Sequence, residues 1–168
     1  MSRDDLEGQR AGKPGFAEHC VMRCTLDYFL RTVHETSKSF QGDLISGVIF
    51  VALIRANTQH LAETTQLEYS MSHGVIPNEV RRPVSVKSIS DSLDLPYETV
   101  RRRIGRLYAE GYCEHIPRQG FVVPERVLMR PEFVDVLARN HANFQQLLAR
   151  VQRAGLVTEV ASPGRLPA

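Results

Sequence analysis

The chain has 168 residues, 42% hydrophobic and 24% charged, with a net charge of +2. That is enough for one compact domain, or for a small domain with a helical accessory part, and the charge is too small to name a partner by itself. The cysteines, Cys20, Cys24 and Cys113, make no even-numbered framework, and the N-terminus has no basic stretch followed by an apolar run. The most apolar stretch, residues 48–54, falls far short of the roughly 20 residues that a membrane span needs. A reduced, cytoplasmic protein without membrane association is therefore expected. With no Trp and only 7% aromatic residues, its core is expected to be built from Leu, Ile and Val.

Residues 1–15 lack apolar periodicity and contain Gly12-Lys13-Pro14-Gly15, the composition of a disordered tail. Val21, Thr25, Tyr28 or Phe29, and Val33 recur at helical intervals, predicting a helix over residues 17–38. Phe40-Gln41-Gly42-Asp43 breaks the pattern, with Asp43 a candidate N-cap. A second helix is predicted over residues 44–67. Its first three turns are apolar nearly all round, which points to burial in a subunit interface. Residues 73–78 read as a turn, and Arg81-Arg82-Pro83 leads into the next unit. Beyond Pro124, a helix over residues 131–154 is expected, with Pro131 at its first position, an apolar stripe from Phe133 to Val151, and Gly155 ending it. Residues 156–168 are expected to form a second disordered tail.

Residues 83–124 carry the strongest signal. Val84-Ser85-Val86 reads as a short extended piece, followed by a helix of about two turns with Ile89 and Leu93 inward and Ser85 as its cap. Leu95-Pro96 makes a turn, because proline biases the residue before it away from helix. A second helix spans residues 97–110 and is ended by Gly111. Two apolar runs, residues 112–116 and 121–123, are joined by Pro117-Arg118-Gln119-Gly120, which has hairpin-loop chemistry. Strand, helix, turn, helix, hairpin is the order of a winged helix. The expected fold class is therefore mainly α with a small β-wing, a winged helix-turn-helix, with long flanking helices for dimerisation.

The charge collects in the same place. Residues 81–130 hold ten Lys/Arg against six Asp/Glu, an excess of +4, which leaves −2 elsewhere. At 100° per residue, Val100, Ile104, Leu107 and Tyr108 share an inward sector of the second helix. Glu98, Thr99, Arg102 and Arg106 face the other way, with Arg101 and Arg103 on the flanks. A helix that lies in the major groove needs such a face, since arginine makes bidentate bonds to guanine O6 and N7 or neutralises phosphates. Free N–H groups at Tyr97 to Thr99 can receive a phosphate. Gly105 on the outer side permits close approach of a DNA backbone, or is a neutral surface glycine.

The run LDLPYETVRRRIGRLYAEGY resembles the helix-turn-helix of winged-helix transcription factors of the MarR and GntR superfamilies. The layout of two helices before the module and one long helix after it is closer to MarR, whose members are dimers. Asp94 stands where many relatives carry glycine, and the hairpin lacks the Asp-x-Arg pattern common in MarR wings. GntR proteins need a larger C-terminal effector domain than this chain supplies. The resemblance implies DNA contacts from Thr99, Arg101, Arg102 and Arg106 and from Arg118 at the wing tip, with Tyr97 and Arg103 as further candidates. It also implies a homodimer, and it allows a small-molecule effector between the 44–67 helix and the module.

The expected organisation is thus a helical dimerisation region at residues 16–82, the winged-helix module at 83–124 and a C-terminal helix at 125–155. The expected function is a sequence-specific regulator of transcription that binds double-stranded DNA. The alternative is a winged helix used for protein–protein assembly without DNA, favoured if the arginines are paired with Asp/Glu rather than displayed. His19, Cys20 and Cys24 lie on adjacent helical turns but fall short of the four closed ligands of structural zinc, so no metal is expected. No phosphate loop, nucleophile elbow, metalloprotease motif or carboxylate pair occurs. No catalytic residue, cofactor or enzymatic activity is expected.

Overall fold

The computed structural model describes residues 15–155, so both expected tails lie outside the described residues but for Gly15. The helices are α1 (Phe16–Ser39), α2 (Leu44–Thr58), α3 (Glu63–His73), α4 (Val86–Leu93), α5 (Tyr97–Ala109), α6 (Glu125–Leu128) and α7 (Pro131–Arg153). A 3-10 turn covers Asn78–Val80, and β1 (Glu114–Ile116) pairs antiparallel with β2 (Gly120–Val122). No single described helix is long and apolar enough to cross a membrane.

The chain divides into two compact units. One is Val33–Ala138; the described residues on either side of it make the other. In the second unit α1 and α7 meet through Tyr28. Its ring packs edge-on to Phe144, and its hydroxyl donates to Asn140 Oδ1 at 3.1 Å. Ion pairing of Arg150 with Asp27 adds to this contact. Val21, Met22, Leu26, Phe29 and Leu30 of α1 nevertheless stay exposed.

In the unit Val33–Ala138, α2, α4 and α5 pack against one another in all three pairings. Their inner faces meet at Ile49, Leu53, Ile89, Val100, Ile104 and Leu107, each 0% exposed. Ser85 Oγ caps α4 by accepting from Ser88 N at 3.1 Å, and Asp94 ends it in the left-handed conformation (φ 51°). Ser90 holds the turn that follows: its hydroxyl donates to Leu95 O at 2.7 Å, and its carbonyl accepts from Leu95 N. Gly111, at φ 72°, ends α5 as expected.

The β1–β2 hairpin gains a third segment, because Val84 exchanges two backbone hydrogen bonds with Phe121 (2.9 and 2.8 Å). Gly120 is required there. It sits at φ +124°, and a Cβ on it would lie 2.3 Å from the Val84 carbonyl oxygen. Asn57 of α2 is fully buried and fastens this edge. Its amide donates to Arg82 O (2.8 Å) and Phe121 O (3.1 Å), while its oxygen accepts from Val123 N (2.9 Å). A buried amide so fully paired locks a helix to a hairpin without leaving orphan donors.

The expectations for three regions need correction. The predicted 44–67 helix is two helices, broken after Thr58. Gln66 Nε2 reaches back to Thr58 O and Leu61 O, satisfying carbonyls that a continuous helix would have used. The core is not purely aliphatic. Phe40, Phe50, Tyr112 and Phe133 form a cluster with ring centroids 5.0–6.3 Å apart, so four of the aromatic residues add to the aliphatic core. Tyr108 is not inward: it is 53% exposed, with its ring edge-on to Phe121. Beside the aromatic cluster lies a cavity of about 320 Å³, bounded by α1, α2, the 70–81 segment and α7.

Candidate nucleic-acid interface

The outer face of α5 is set by what its inner face buries. Val100, Ile104 and Leu107 are anchored in the core, which turns Glu98, Arg101, Arg102, Gly105 and Arg106 to solvent. Thr99 is half-buried. Pro96 precedes the helix and offers no side-chain cap, so the first N–H groups of α5 keep no side-chain acceptor. Tyr97, 49% exposed, stands beside them. Nothing lies within 4 Å of a Cβ built on Gly105, so the middle of this face is open.

The arginines divide sharply. Arg102 is exposed and makes no hydrogen bond or ion pair. Arg101 is held by Glu98 in a two-pronged pair, Nε–Oε2 2.8 Å and Nη2–Oε1 2.6 Å. That contact lowers the Glu98 pKa and raises that of Arg101. Both side chains are more than half exposed, so the pair contributes little and exchanges readily. Arg106 pairs with Glu110 at 2.7 Å, the main cause of its raised pKa, and reaches Asp43 at 3.4 Å.

Arg103 is bound to Asp43 and is half-buried. Asp43 is also the N-cap of α2, accepting from Ser46 N (3.1 Å) and Ser46 Oγ (2.8 Å). Burial pushes its pKa up, but the two Ser46 bonds together with Arg103 and Arg106 outweigh this and hold the carboxyl below its ordinary value. Arg103 therefore fastens α5 to the start of α2, and of the α5 arginines it is the least available to a ligand. The sequence marked Asp43 as a cap but gave no sign of this second role, because its partner lies 60 residues away.

Arg118 stands at the hairpin tip, exposed, in the left-handed conformation (φ 65°) and without a partner. Three neighbouring cations are tied down: Lys87 to Asp91 at 2.5 Å, Arg126 to Glu114, and Arg130 to Gly111 O at 2.8 Å. The structure thus leaves two of the seven candidates, Arg102 and Arg118, as uncommitted cations. Of the others, Arg101 and Arg106 sit in solvent-facing pairs, and Tyr97 and Thr99 flank the helix start.

Cys113 is 2% exposed, and burial, with some help from Glu114, pushes its thiol up to about 12. It packs as a hydrophobe. Among the described residues no three His, Cys, Asp or Glu side chains converge. Compared with known proteins, the chain matches no family model, and no curated protein or solved structure is significantly similar to it. Any functional reading rests on its own residues.

Proposed function

We propose that the chain is a winged helix-turn-helix protein that binds double-stranded DNA, with α5 in the major groove and the β1–β2 hairpin as the wing. The observation that carries this reading is the outer face of α5, where an uncommitted Arg102 stands next to the open surface at Gly105. Arg118 on the hairpin tip, in a conformation that costs on the order of 1 kcal/mol for a non-glycine residue, is the natural second anchor. The uncapped N–H groups at the start of α5 suit a phosphate. Arg101 can leave Glu98 for a phosphate, since an exposed pair is worth under about 1 kcal/mol. The exposed apolar side chains of α1, among them Met22, Leu26, Phe29 and Leu30, suit pairing with a second copy, and a dimer would read a palindrome.

Selection from a random duplex pool tests the reading. Enrichment of two inverted half-sites about one helical turn apart is expected. Arg102→Ala should then lower affinity for the selected site by about 1–3 kcal/mol, and affinity should fall steeply with salt. A pool with no enriched sequence, together with no retardation of duplex DNA at low salt, sinks the proposal.

A second reading is favoured by a specific observation: Arg101, Arg103 and Arg106 are all paired with carboxylates, while Tyr97 and Tyr108 are half-exposed on the same helix. An α5 surface of that kind suits a protein partner. Under this reading substitution of Tyr108 disrupts an assembly, and Arg102→Ala changes nothing.

A further inference from the structure

The cavity beside the aromatic cluster holds one ionic group. Phe50, Val51 and Ile54 of α2, Leu128, and Phe133 and Leu137 of α7 make most of its wall apolar, and Arg81 is the sole charged residue that lines it. Arg81 is 7% exposed. Its Nε and Nη2 both donate to Ile76 O, at 3.0 and 2.8 Å, which fixes the plane of the guanidinium. Its Nη1 is buried and has no hydrogen-bond partner. The nearest compensating charge is Glu125, which attracts Arg81 but forms no ion pair with it. Burial lowers the Arg81 pKa, and the Glu125 carboxylate offsets only part of that.

A buried guanidinium with an unused donor is costly, and native proteins rarely leave one unexplained. At about 320 Å³ the cavity reaches the size of small-molecule sites, which are apolar with a few fixed polar groups. The hydroxyls of Ser39, Thr58 and Ser70 along its wall already donate to carbonyls of their own helices. We propose that the cavity binds an organic monoanion, a carboxylate on an apolar body, with the Arg81 guanidinium as the charged group that meets the carboxylate. The fork is held in place by Ile76 before any ligand arrives, so little order is lost on binding. Val51 and Leu137, 54% and 58% exposed, stand at the mouth, where the apolar body would enter. This site stands on the cavity alone and holds independently of what α5 contacts.

Calorimetric titration of the full chain with octanoate and with naphthalene-2-carboxylate tests the proposal. Each is set against its neutral counterpart, octan-1-ol or 2-naphthylmethanol. A charge-assisted hydrogen bond predicts that at least one carboxylate binds roughly tenfold or more tighter than its alcohol. Arg81→Met should abolish that preference. Because Arg81 also anchors Ile76 O, a variant that keeps the arginine serves as control: Val51→Trp, at the exposed mouth, should weaken carboxylate binding about tenfold with the thermal midpoint little changed. Equal affinity for acid and alcohol overturns the proposal. So does failure of both carboxylates to bind at millimolar concentration, and so does undiminished binding by a folded Val51→Trp protein.

Discussion

The two ends of the Val33–Ala138 unit are built on opposite plans. Around α5 the interior is filled by aliphatic side chains, and Asn57 satisfies the buried backbone at the hairpin edge. Around the aromatic cluster the interior is hollow, and a buried arginine keeps a donor unpaired. Rigid packing at the first end suits a helix that must present its outer face in one orientation. Unfilled space and unmet polarity at the second end are what a ligand site needs, and they come at a cost in stability. The same α2 serves both ends, with Leu53 and Asn57 toward one and Val51 and Ile54 toward the other.

The largest expected effect tests that contrast with two isoleucines, Ile104 fully buried and Ile54 half-buried beside the cavity. Ile104→Ala, in the filled end, should cost about 4 kcal/mol in urea unfolding, because the surroundings cannot collapse on the space. Ile54→Ala, at the edge of an existing cavity, should cost roughly half that. Equal costs would break the comparison.

Asn57→Ala comes next. It strands Val123 N and the Arg82 carbonyl, while Phe121 O keeps its bond from Val84 N, and about 3 kcal/mol should be lost by the same measurement. Amide exchange at Val123 should accelerate together with that of the hairpin, marking the unit that opens.

Asp43→Ala should cost about 2 kcal/mol, since it removes the cap of α2 and the partner of Arg103 together. The pH dependence has a definite sign. The folded carboxyl titrates below its ordinary value, so its contribution is complete above the unfolded pKa of about 4 and fades as pH falls through the lower folded value. Stability of the parent protein should therefore fall more steeply below about pH 4 than that of Asp43→Asn, as followed by circular dichroism.

The smallest effect sharpens the reading of α5. Gly105→Ala places a methyl group in open space and should stabilise the fold by about 1 kcal/mol. If the DNA backbone approaches there, the same substitution weakens binding to the selected duplex; unchanged binding would reduce Gly105 to a surface residue.

Much of the segment from Val84 to Val123 was legible because its signals are local. Ser85 as a cap, Asp94 in the left-handed turn, Leu95-Pro96, Gly111 and the hairpin loop ending at Gly120 each act within a few residues of themselves. The inward face of α5 follows from helical periodicity, except at Tyr108, whose ring is large enough to reach Phe121 while staying half in water. Asp43 as the N-cap of α2 was legible for the same reason.

Charge pairing was legible only in part. Helical spacing puts Arg101 within reach of Glu98 and Arg106 within reach of Glu110, while only the fold joins Arg103 to Asp43 across the sequence and leaves Arg102 without an ion pair. Sequence periodicity likewise gave α2 an apolar surface without saying that Asn57 would close a hairpin and Ile54 would face a cavity. It offered no sign that Arg81 would be buried, since arginine is ordinarily a surface residue and nothing in its neighbours marks the exception. Local backbone preference acts through adjacent residues and is written in their order. Burial, ion pairing and empty space depend on what distant segments bring to the same point, and only the packed chain fixes them.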